Sequence, residues 1–506
     1  MKTSLIVLSL FFAAEALTAQ TRNPDLKRTW HWYFGHFAGL DFSNGAPVAD
    51  ENGAMSVLEG CAVISDTAGN LLFYTDAHQV WNRNHQIMQN GDSLGLYYPT
   101  PRDGAIIIPR PGSDSIYYIF NVDGWENQFR RGLRWHEVDM SLDNGLGAVT
   151  SKNNILYAPV TEQLAATRHC NGTDYWVVTH ERSSDKFLAF RVTAAGVDSV
   201  PVVSSAGQDY GVTQQYYNLN GGYHLVFSPD GGKVAATIYW SYIITGIPEQ
   251  LQLLSFNSNN GIFYDAFDLP IDTTLSIGFF SPDGLKFYIE SCYARPCRFY
   301  QYDLSSGVDT IIQQSRLVVL STDVAISTEG QIGPDGKNYL SGEWDYLTST
   351  PNPPFLSVVE NPNVAGPGCN IQYGAQLLGR GLARQGLPRF VSNFLVDTLF
   401  APCQYNIIYS PENVQQDKIL VYPNPADERI VISSQFNKEG GKDTTAGSVS
   451  VRLMDVTGRI WLVEKDLDLD KRGMDLDVSK IPNGLYLLEL QRENSRKAFR
   501  IFIVHP

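Results

Sequence analysis

The sequence predicts an all-β chain, a β-propeller followed by a small immunoglobulin-like β-sandwich, and three observations carry that expectation. The first is a recurring hairpin. Phe280-Ser281-Pro282-Asp283-Gly284 runs into Leu285-Lys286-Phe287-Tyr288-Ile289. Apolar arms flank a turn in which proline presets φ, aspartate bonds its own backbone and glycine supplies a positive φ. Phe227-Ser228-Pro229-Asp230-Gly231 and Ile332-Gly333-Pro334-Asp335-Gly336 repeat it, with weaker copies ending at Gly69, Gly112 and Gly172. The second is an interleaved series of turns: Asn44-Gly45, Asn90-Gly91, Asn144-Gly145, Ala195-Gly196, Asn260-Gly261 and Ser306-Gly307, with a proline-containing equivalent at Asn361-Pro362-Asn363. Two hairpins per unit of roughly 50 residues make four strands, which is the repeat of a propeller blade. The third is a change of pattern after Cys403.

Taken in order, the chain opens with a secretory leader. Lys2 precedes the apolar run Leu5 to Ala14, and cleavage is expected after Ala16 or Ala19, so residues 1–19 are assigned to a signal peptide. The run is too short to span a bilayer, and no later stretch is long enough, so no transmembrane segment is expected in the mature chain. Residues 30–403 form the propeller. Seven blades fit the turn count best, with six or eight as alternatives. Trp30 to Gly45 carries a second-series turn with no first-series hairpin before it, and the missing hairpin falls near Gly386-Leu387-Pro388-Arg389-Phe390-Val391. The two ends are therefore expected to complete one blade, closing the ring and removing free sheet edges. Residues 404–418 read as a linker. Residues 419–506 hold seven short strands, expected at 419–422, 428–433, 449–455, 459–465, 474–478, 484–490 and 497–503.

Bulk composition narrows the function classes. The formal net charge is −15 at pH 7, which argues against nucleic acid as a partner, because phosphate attraction needs an excess of Lys and Arg. Six cysteines in 506 residues are too few for a disulfide scaffold, but export permits disulfides. Cys292 and Cys297 are close enough to bridge one loop. Cys61, Cys170, Cys369 and Cys403 stay open to three pairings. Nothing in the spacing of cysteine and histidine points to a metal, and no cofactor is expected.

Topology sorts the loops. If the first strand of each unit lines the channel, both turn series fall on one face. The other face receives the longer, unlike loops that join strands 2 and 3 and link neighbouring blades. Those loops carry Trp125, Tyr216, Tyr217, Trp240, Tyr242, Trp344 and Tyr346, together with Tyr97, Tyr98, Arg130 and Arg131. Aromatic and arginine side chains on variable loops of a rigid scaffold point to recognition of a glycan or protein ligand. Capping of blade cores is the competing role for the same residues. Glu59, Asp103, Glu162, His224 and Arg384 stand where first strands begin. Carboxylates facing each other across a pocket could run hydrolysis, which makes a hydrolase or lactonase-like propeller enzyme the alternative reading. Pairing of the acids with Arg102 and Arg384 is the structural one. A structural envelope or adhesion component is a third reading. Asp139 to Thr150 imitates a calcium loop but lacks its glycine and its terminal glutamate. His78 and His85 flank Trp81 at a spacing that suits hydrogen bonding better than a metal.

Two resemblances refine this. Tyr422-Pro423-Asn424-Pro425-Ala426, Leu453-Met454-Asp455-Val456-Thr457-Gly458-Arg459 and Ile481-Pro482-Asn483-Gly484-Leu485-Tyr486, followed by the basic strand Arg496-Lys497-Ala498-Phe499-Arg500, resemble the type A C-terminal sorting domain of the type IX secretion system. The resemblance implies Tyr422, Pro423, Asn424, Pro425, Gly458, Gly484 and Tyr486 as sorting-motif residues. It also implies the type IX machinery as partner, export across the outer membrane of a Bacteroidetes-type bacterium, and a cell-surface or extracellular destination. Trp32-Tyr33-Phe34-Gly35, Gly60-Cys61-Ala62-Val63-Ile64-Ser65-Asp66 and Val80-Trp81-Asn82-Arg83-Asn84-His85 are similar to large secreted propeller proteins of such bacteria, with the Pro-Asp-Gly units as WD-like repeats. That similarity implies fold and location and no activity.

Overall fold

The computed structural model describes residues 23–95, 101–207, 220–240, 250–272, 278–292, 296–326, 329–342, 352–396, 418–422, 426, 428–435, 449–455, 459–467, 474–492, 495–503 and 505. The chain divides into two compact units, Met1–Gln404 and Tyr405–Pro506.

Seven sheets follow one another along the described part of the first unit. The first holds β1 (His31–Phe34), β2 (Ala38–Asp41) and β3 (Val48–Ala49), and the second holds β4 (Cys61–Ser65), β5 (Leu71–Thr75) and β6 (Val80–Asn82). The third is the meander β7 (Ala105–Pro109), β8 (Ile116–Asn121), β9 (Leu133–Asp139) and β10 (Ala148–Tyr157). The fourth is β11 (Val160–Arg168), β12 (Tyr175–Glu181), β13 (Lys186–Thr193) and β14 (Gly196–Val197), with β15 (Val202–Ser205) also paired to β13. The fifth is β16 (Asn220–Phe227), β17 (Lys233–Trp240), β18 (Gln250–Asn257) and β19 (Ile262–Leu269). The sixth is β20 (Phe279–Phe280), β21 (Lys286–Ser291), β22 (Cys297–Asp303) and β23 (Leu317–Thr322), with the short helix α1 (Asp309–Gln314) before its last strand. The seventh is β24 (Glu329–Ile332), β25 (Asn338–Ser341), β26 (Phe355–Val359) and β27 (Ile371–Leu377). Successive four-stranded antiparallel sheets are the architecture of a β-propeller.

Burial grades along each sheet as this arrangement requires. Every residue of β4 and β7 is buried, because inner strands are covered on both faces. The outer strand β27 contrasts with them: Gln372, Tyr373, Ala375 and Leu377 are exposed and none of its residues is fully buried. The first-series turns close strand 1 onto strand 2 by one repeated device. In the sixth sheet, Ser281 Oγ donates to Asp283 Oδ1 at 2.5 Å and accepts from Lys286 N at 2.8 Å, while Gly284 sits at φ 70°. In the fifth, Ser228 Oγ makes the same bonds to Asp230 (2.6 Å) and Lys233 N (2.9 Å), with Gly231 at φ 72°. The serine before Pro-Asp-Gly thus fastens the hairpin across its own base, which fixes the register Phe280↔Phe287 and Phe227↔Val234.

Two expectations are corrected. The ends of the propeller do not complete one blade. The first three strands form their own sheet, and the C-terminal strand β28 (Pro388–Arg389) joins the second sheet instead, pairing in parallel with β4 through Pro388↔Cys61 and Arg389↔Ala62. A strand returning parallel to its neighbour cannot form a hairpin, and this one serves to carry Arg389 to the channel. Asn90-Gly91 is likewise not the tip between strands 3 and 4 of its sheet. The tip lies at Asn82–His85, where His85 N donates to Asn82 O, and Gly91 turns the chain after it by bonding Met88 O. The other second-series turns lie between the outer strands of their sheets, with α1 inserted after Ser306-Gly307.

Cys292 and Cys297 are joined by a disulfide across the β21–β22 loop, with Cα atoms 4.2 Å apart. Cys61 and Cys369 are free and buried, and Cys170 is disulfide-bonded.

The second unit is a two-sheet sandwich. β29 (Lys418–Tyr422), β30 (Arg429–Gln435) and β33 (Met474–Asp477) face β31 (Val449–Asp455), β32 (Ile460–Leu467), β34 (Gly484–Arg492) and β35 (Ser495–Ile503). Ile430, Ile432, Leu453, Leu488 and Ile503 fill the core between them. Among the described residues no helix is long and apolar enough to cross a membrane.

Candidate functional site

The inner strands converge on a buried polar hub, and its centre is Arg389. The hub is possible because three segments approach closely at the loop end of the channel: a Cβ on Gly60 would lie 2.1 Å from Gly104 N, and one on Gly386 would lie 2.0 Å from Glu59 O. Only glycine fits such approaches. The chain then delivers Arg389 on β28, 6% exposed, between Asp103 and Glu329, each fully buried. Its Nη1 lies 3.3 Å from Asp103 Oδ1 and 3.4 Å from Glu329 Oε1, against the His224 ring. Its Nη2 donates to Leu164 O at 3.2 Å and Leu225 O at 2.5 Å. One guanidinium thus reaches groups at the inner edges of the third, fourth, fifth and seventh sheets, while its backbone pairs with the second.

Asp103 is saturated. Its Oδ1 accepts from His224 Nδ1 at 2.6 Å, and its Oδ2 accepts from the N–H groups of Leu164 (3.1 Å) and Leu225 (2.8 Å). Glu329 Oε2 accepts from Leu387 N at 3.0 Å. Burial pushes the Glu329 carboxyl up from its ordinary value, opposed by the attraction of Arg389. Burial likewise pushes up the Cys61 thiol beside it.

Nearer the loop end, Arg102 Nη2 pairs with Glu59 at 3.6 Å, its Nη1 donates to Gln385 O at 3.3 Å and its N–H to Glu162 at 3.3 Å. Of the residues singled out at first-strand entries, Asp103 and His224 are therefore brought together, Glu59 and Glu162 gather around Arg102, and Arg384 is not the partner of the buried acids. Arg389, five residues on, takes that place. The two buried carboxylates face each other across a guanidinium and not across a pocket. The cavity beside them, lined by Phe227, Phe279, Gln331, Ile332, Arg389 and Phe390 among others, holds about 30 Å³, room for one or two waters. This arrangement can hold sheets together.

On the loop face, Trp125 begins a 3-10 turn, Trp125–Asn127, between β8 and β9, and Trp240 ends β17 opposite Asn220. Tyr97, Tyr98, Tyr216, Tyr217, Tyr242, Trp344 and Tyr346 lie outside the described residues. The loop after Trp125 is organised by buried Asp123, which accepts from Asn127 Nδ2 (2.9 Å) and Arg131 N (2.8 Å). Phe129 is buried under the Arg182 guanidinium, 4.7 Å from its ring centre. Arg131 bonds Gly95 O, and exposed Arg130 reaches Gln128.

Asp139 Oδ1 accepts from Ser141 N and Oγ, and His85 Nδ1 lies 3.1 Å from Tyr74 Oη. Among the described residues no cluster of His, Cys, Asp and Glu could hold a metal ion.

In the second unit, Tyr422 closes β29 and Gly484 opens β34. Tyr486 is buried, donates to Pro482 O at 2.7 Å and meets Trp461 edge-on at 6.2 Å. Pro423, Asn424, Pro425 and Gly458 lie outside the described residues. Residues 420–505 match the family described as the secretion system C-terminal sorting domain. The second unit is a secretion-system sorting domain. The sorting domain covers the span on which the sequence motifs lie, and it supports export of the chain.

No curated protein matches the chain. Among solved structures, a protein of unknown function from Desulfotomaculum acetoxidans is 12% identical with a TM-score of 0.38, over 71% of this chain and 98% of its own. A putative TolB from Agrobacterium tumefaciens is 17% identical at 0.26, over 67% and 89%. A gluconolactonase from Xanthomonas campestris is 12% identical at 0.30, over 65% and 93%. Likenesses this distant carry nothing about activity.

Proposed function

We propose that the chain is an exported, seven-bladed propeller protein of the cell surface or extracellular space, delivered by the type IX secretion machinery, whose loop face binds a glycan or protein ligand. The match of residues 420–505 to a secretion sorting domain carries the export half. The leader at residues 1–19 takes the chain into the periplasm, and the sorting domain takes it across the outer membrane. Intact mass of the native protein recovered from the cell surface or medium tests this: loss of the leader is expected, and a protein found only in the periplasm opposes it.

The recognition half rests on the division of labour in the propeller. Its buried acids and His224 are engaged with Arg389 in holding the inner strands, whereas Trp125 lies between β8 and β9 and Trp240 ends β17, and the sequence pattern assigns Trp344 and the tyrosines to the longer loops and blade links of the same face. Ligand binding is tested by presenting the secreted chain to a panel of polysaccharides and to solubilised envelope. A retained partner that is lost in the Trp125→Ala, Trp240→Ala, Trp344→Ala variant, with melting unchanged, supports it. Retention of the same partner by that variant removes these residues from the site.

A further inference from the structure

At the turn end of the propeller, segments from near its two chain ends are bonded to each other. Pro24–Thr29 is a 3-10 helix capped by Asn23, whose side chain accepts from Asp25 N and whose amide donates to Asn393 O (2.7 Å) and Val396 O (2.9 Å). Asn393, itself buried, accepts from Thr167 Oγ1 (2.8 Å) and Arg168 N (2.6 Å) and donates to Pro229 O (2.9 Å). Asp25, 7% exposed, bonds Arg28 Nε at 2.6 Å and pairs with Arg168. The Arg168 guanidinium covers Phe394 and Tyr175 at 5.7 and 5.5 Å. Arg28 Nη1 reaches Ser65 O at the end of β4 at 3.5 Å, so the N-terminal segment is built into the second and fourth sheets and into the segment Ser392–Val396 that follows Arg389.

We propose that residues 23–30 are a strap whose docking seats the C-terminal strand of the propeller, and that the strap docks only after the leader is removed, so that closure of the ring follows leader cleavage. The second part rests on the reading of residues 1–19 as a leader. Three residues separate Ala19 from Asn23, four steps along the chain and a reach of at most about 14 Å. A leader held in a membrane would keep Asn23 within that distance of the lipid, whereas the docked strap has Asp25 and Thr29 buried.

The test compares four full chains in the same detergent buffer by thermal melting and thermolysin cleavage: residues 20–506, the same with Asn23→Ala and Asp25→Ala, the same with exposed Lys27→Ala as control, and residues 1–506 with Ala14, Ala16 and Ala19 each changed to Phe to block cleavage. The double variant is expected to melt about 3–6 °C lower and to be cut faster between 385 and 396, with the control unchanged. The uncleaved chain is expected to match the double variant although its strap is intact. Equal melting and cleavage of the double variant and the mature chain overturn the strap. An uncleaved chain as resistant as the mature one overturns its dependence on cleavage. N-terminal sequencing of the native protein that begins at Met1 would overturn the leader reading and, with it, the cleavage step, while the double variant still decides the strap.

Discussion

Replacing Arg389 with methionine should loosen the whole propeller while leaving the second unit intact. Methionine keeps most of the aliphatic volume and removes the charge. Asp103 retains His224 and two backbone N–H groups, so its loss is modest. Glu329 is fully buried and loses the cation 3.4 Å away. Two carbonyls, Leu164 O and Leu225 O, lose their donor. Breaking a buried pair from one side costs about 3–5 kcal/mol, which for a unit of this size is a fall in melting temperature of roughly 4–8 °C. Arg389→Lys should recover little, because an ammonium cannot span two carboxylates and two carbonyls as a guanidinium does. The pH dependence has a definite sign. Burial already holds the Glu329 carboxyl above its ordinary value, and Arg389 opposes that rise. In the methionine variant the carboxyl rises further. A carboxyl that binds its proton more tightly when folded contributes stability below its unfolded value, near pH 4–5, and loses it as pH rises through the folded value. The deficit of the variant should therefore be largest at neutral pH and shrink towards pH 4–5. Urea unfolding followed by tryptophan fluorescence across pH 4.5–8 reads this directly. A deficit under about 1 kcal/mol at pH 7, or one independent of pH, would refute the hub.

Three further outcomes are expected. His136 Nδ1 accepts from Asn153 N–H at 3.1 Å and its Nε2 faces Asn121 Oδ1 at 3.2 Å, which fixes the neutral Nε2–H form; burial pushes its pKa down to about 3. It contributes stability above its ordinary value, near 6.5, that is lost as pH falls towards 3, and imidazole NMR showing titration near 6.5 in the folded protein would contradict this. Tyr486→Ala should destabilise the sorting domain by about 3–5 kcal/mol and Tyr486→Phe by about 1 kcal/mol, read by denaturant unfolding; equal costs would show that the hydroxyl bond to Pro482, not the ring, dominates. Non-reducing peptide mapping should find Cys292 linked to Cys297 and Cys170 in a disulfide; alkylation of Cys170 in the unfolded, unreduced chain would contradict the second.

Much of the architecture was legible because it is local. Ser-Pro-Asp-Gly carries its hairpin within six residues, since serine, aspartate and glycine each act on backbone they adjoin. The seven strands of the second unit appear within a few residues of their expected bounds for the same reason. Ring closure was not legible, because β28 is only two residues long and its parallel partner lies more than 300 residues away in sequence. The hub was half legible. Asp103 and His224 stood out as polar residues at strand entries, but Arg389 looked like one of many arginines until the fold brought Leu164, Leu225 and Glu329 around it. Asn90-Gly91 shows the converse error, a strong turn dipeptide placed just beyond the tip that Asn82 and His85 make.

Surface delivery of the chain lacking residues 419–506 tests the central claim most directly. The producing organism would express either the full chain or the truncated one, and whole cells would be shaved with protease before fractionation. The account predicts that the full chain is at the surface or in the medium and that the truncated chain is protected in the periplasm, folded and undegraded. Equal surface exposure of the two would contradict it.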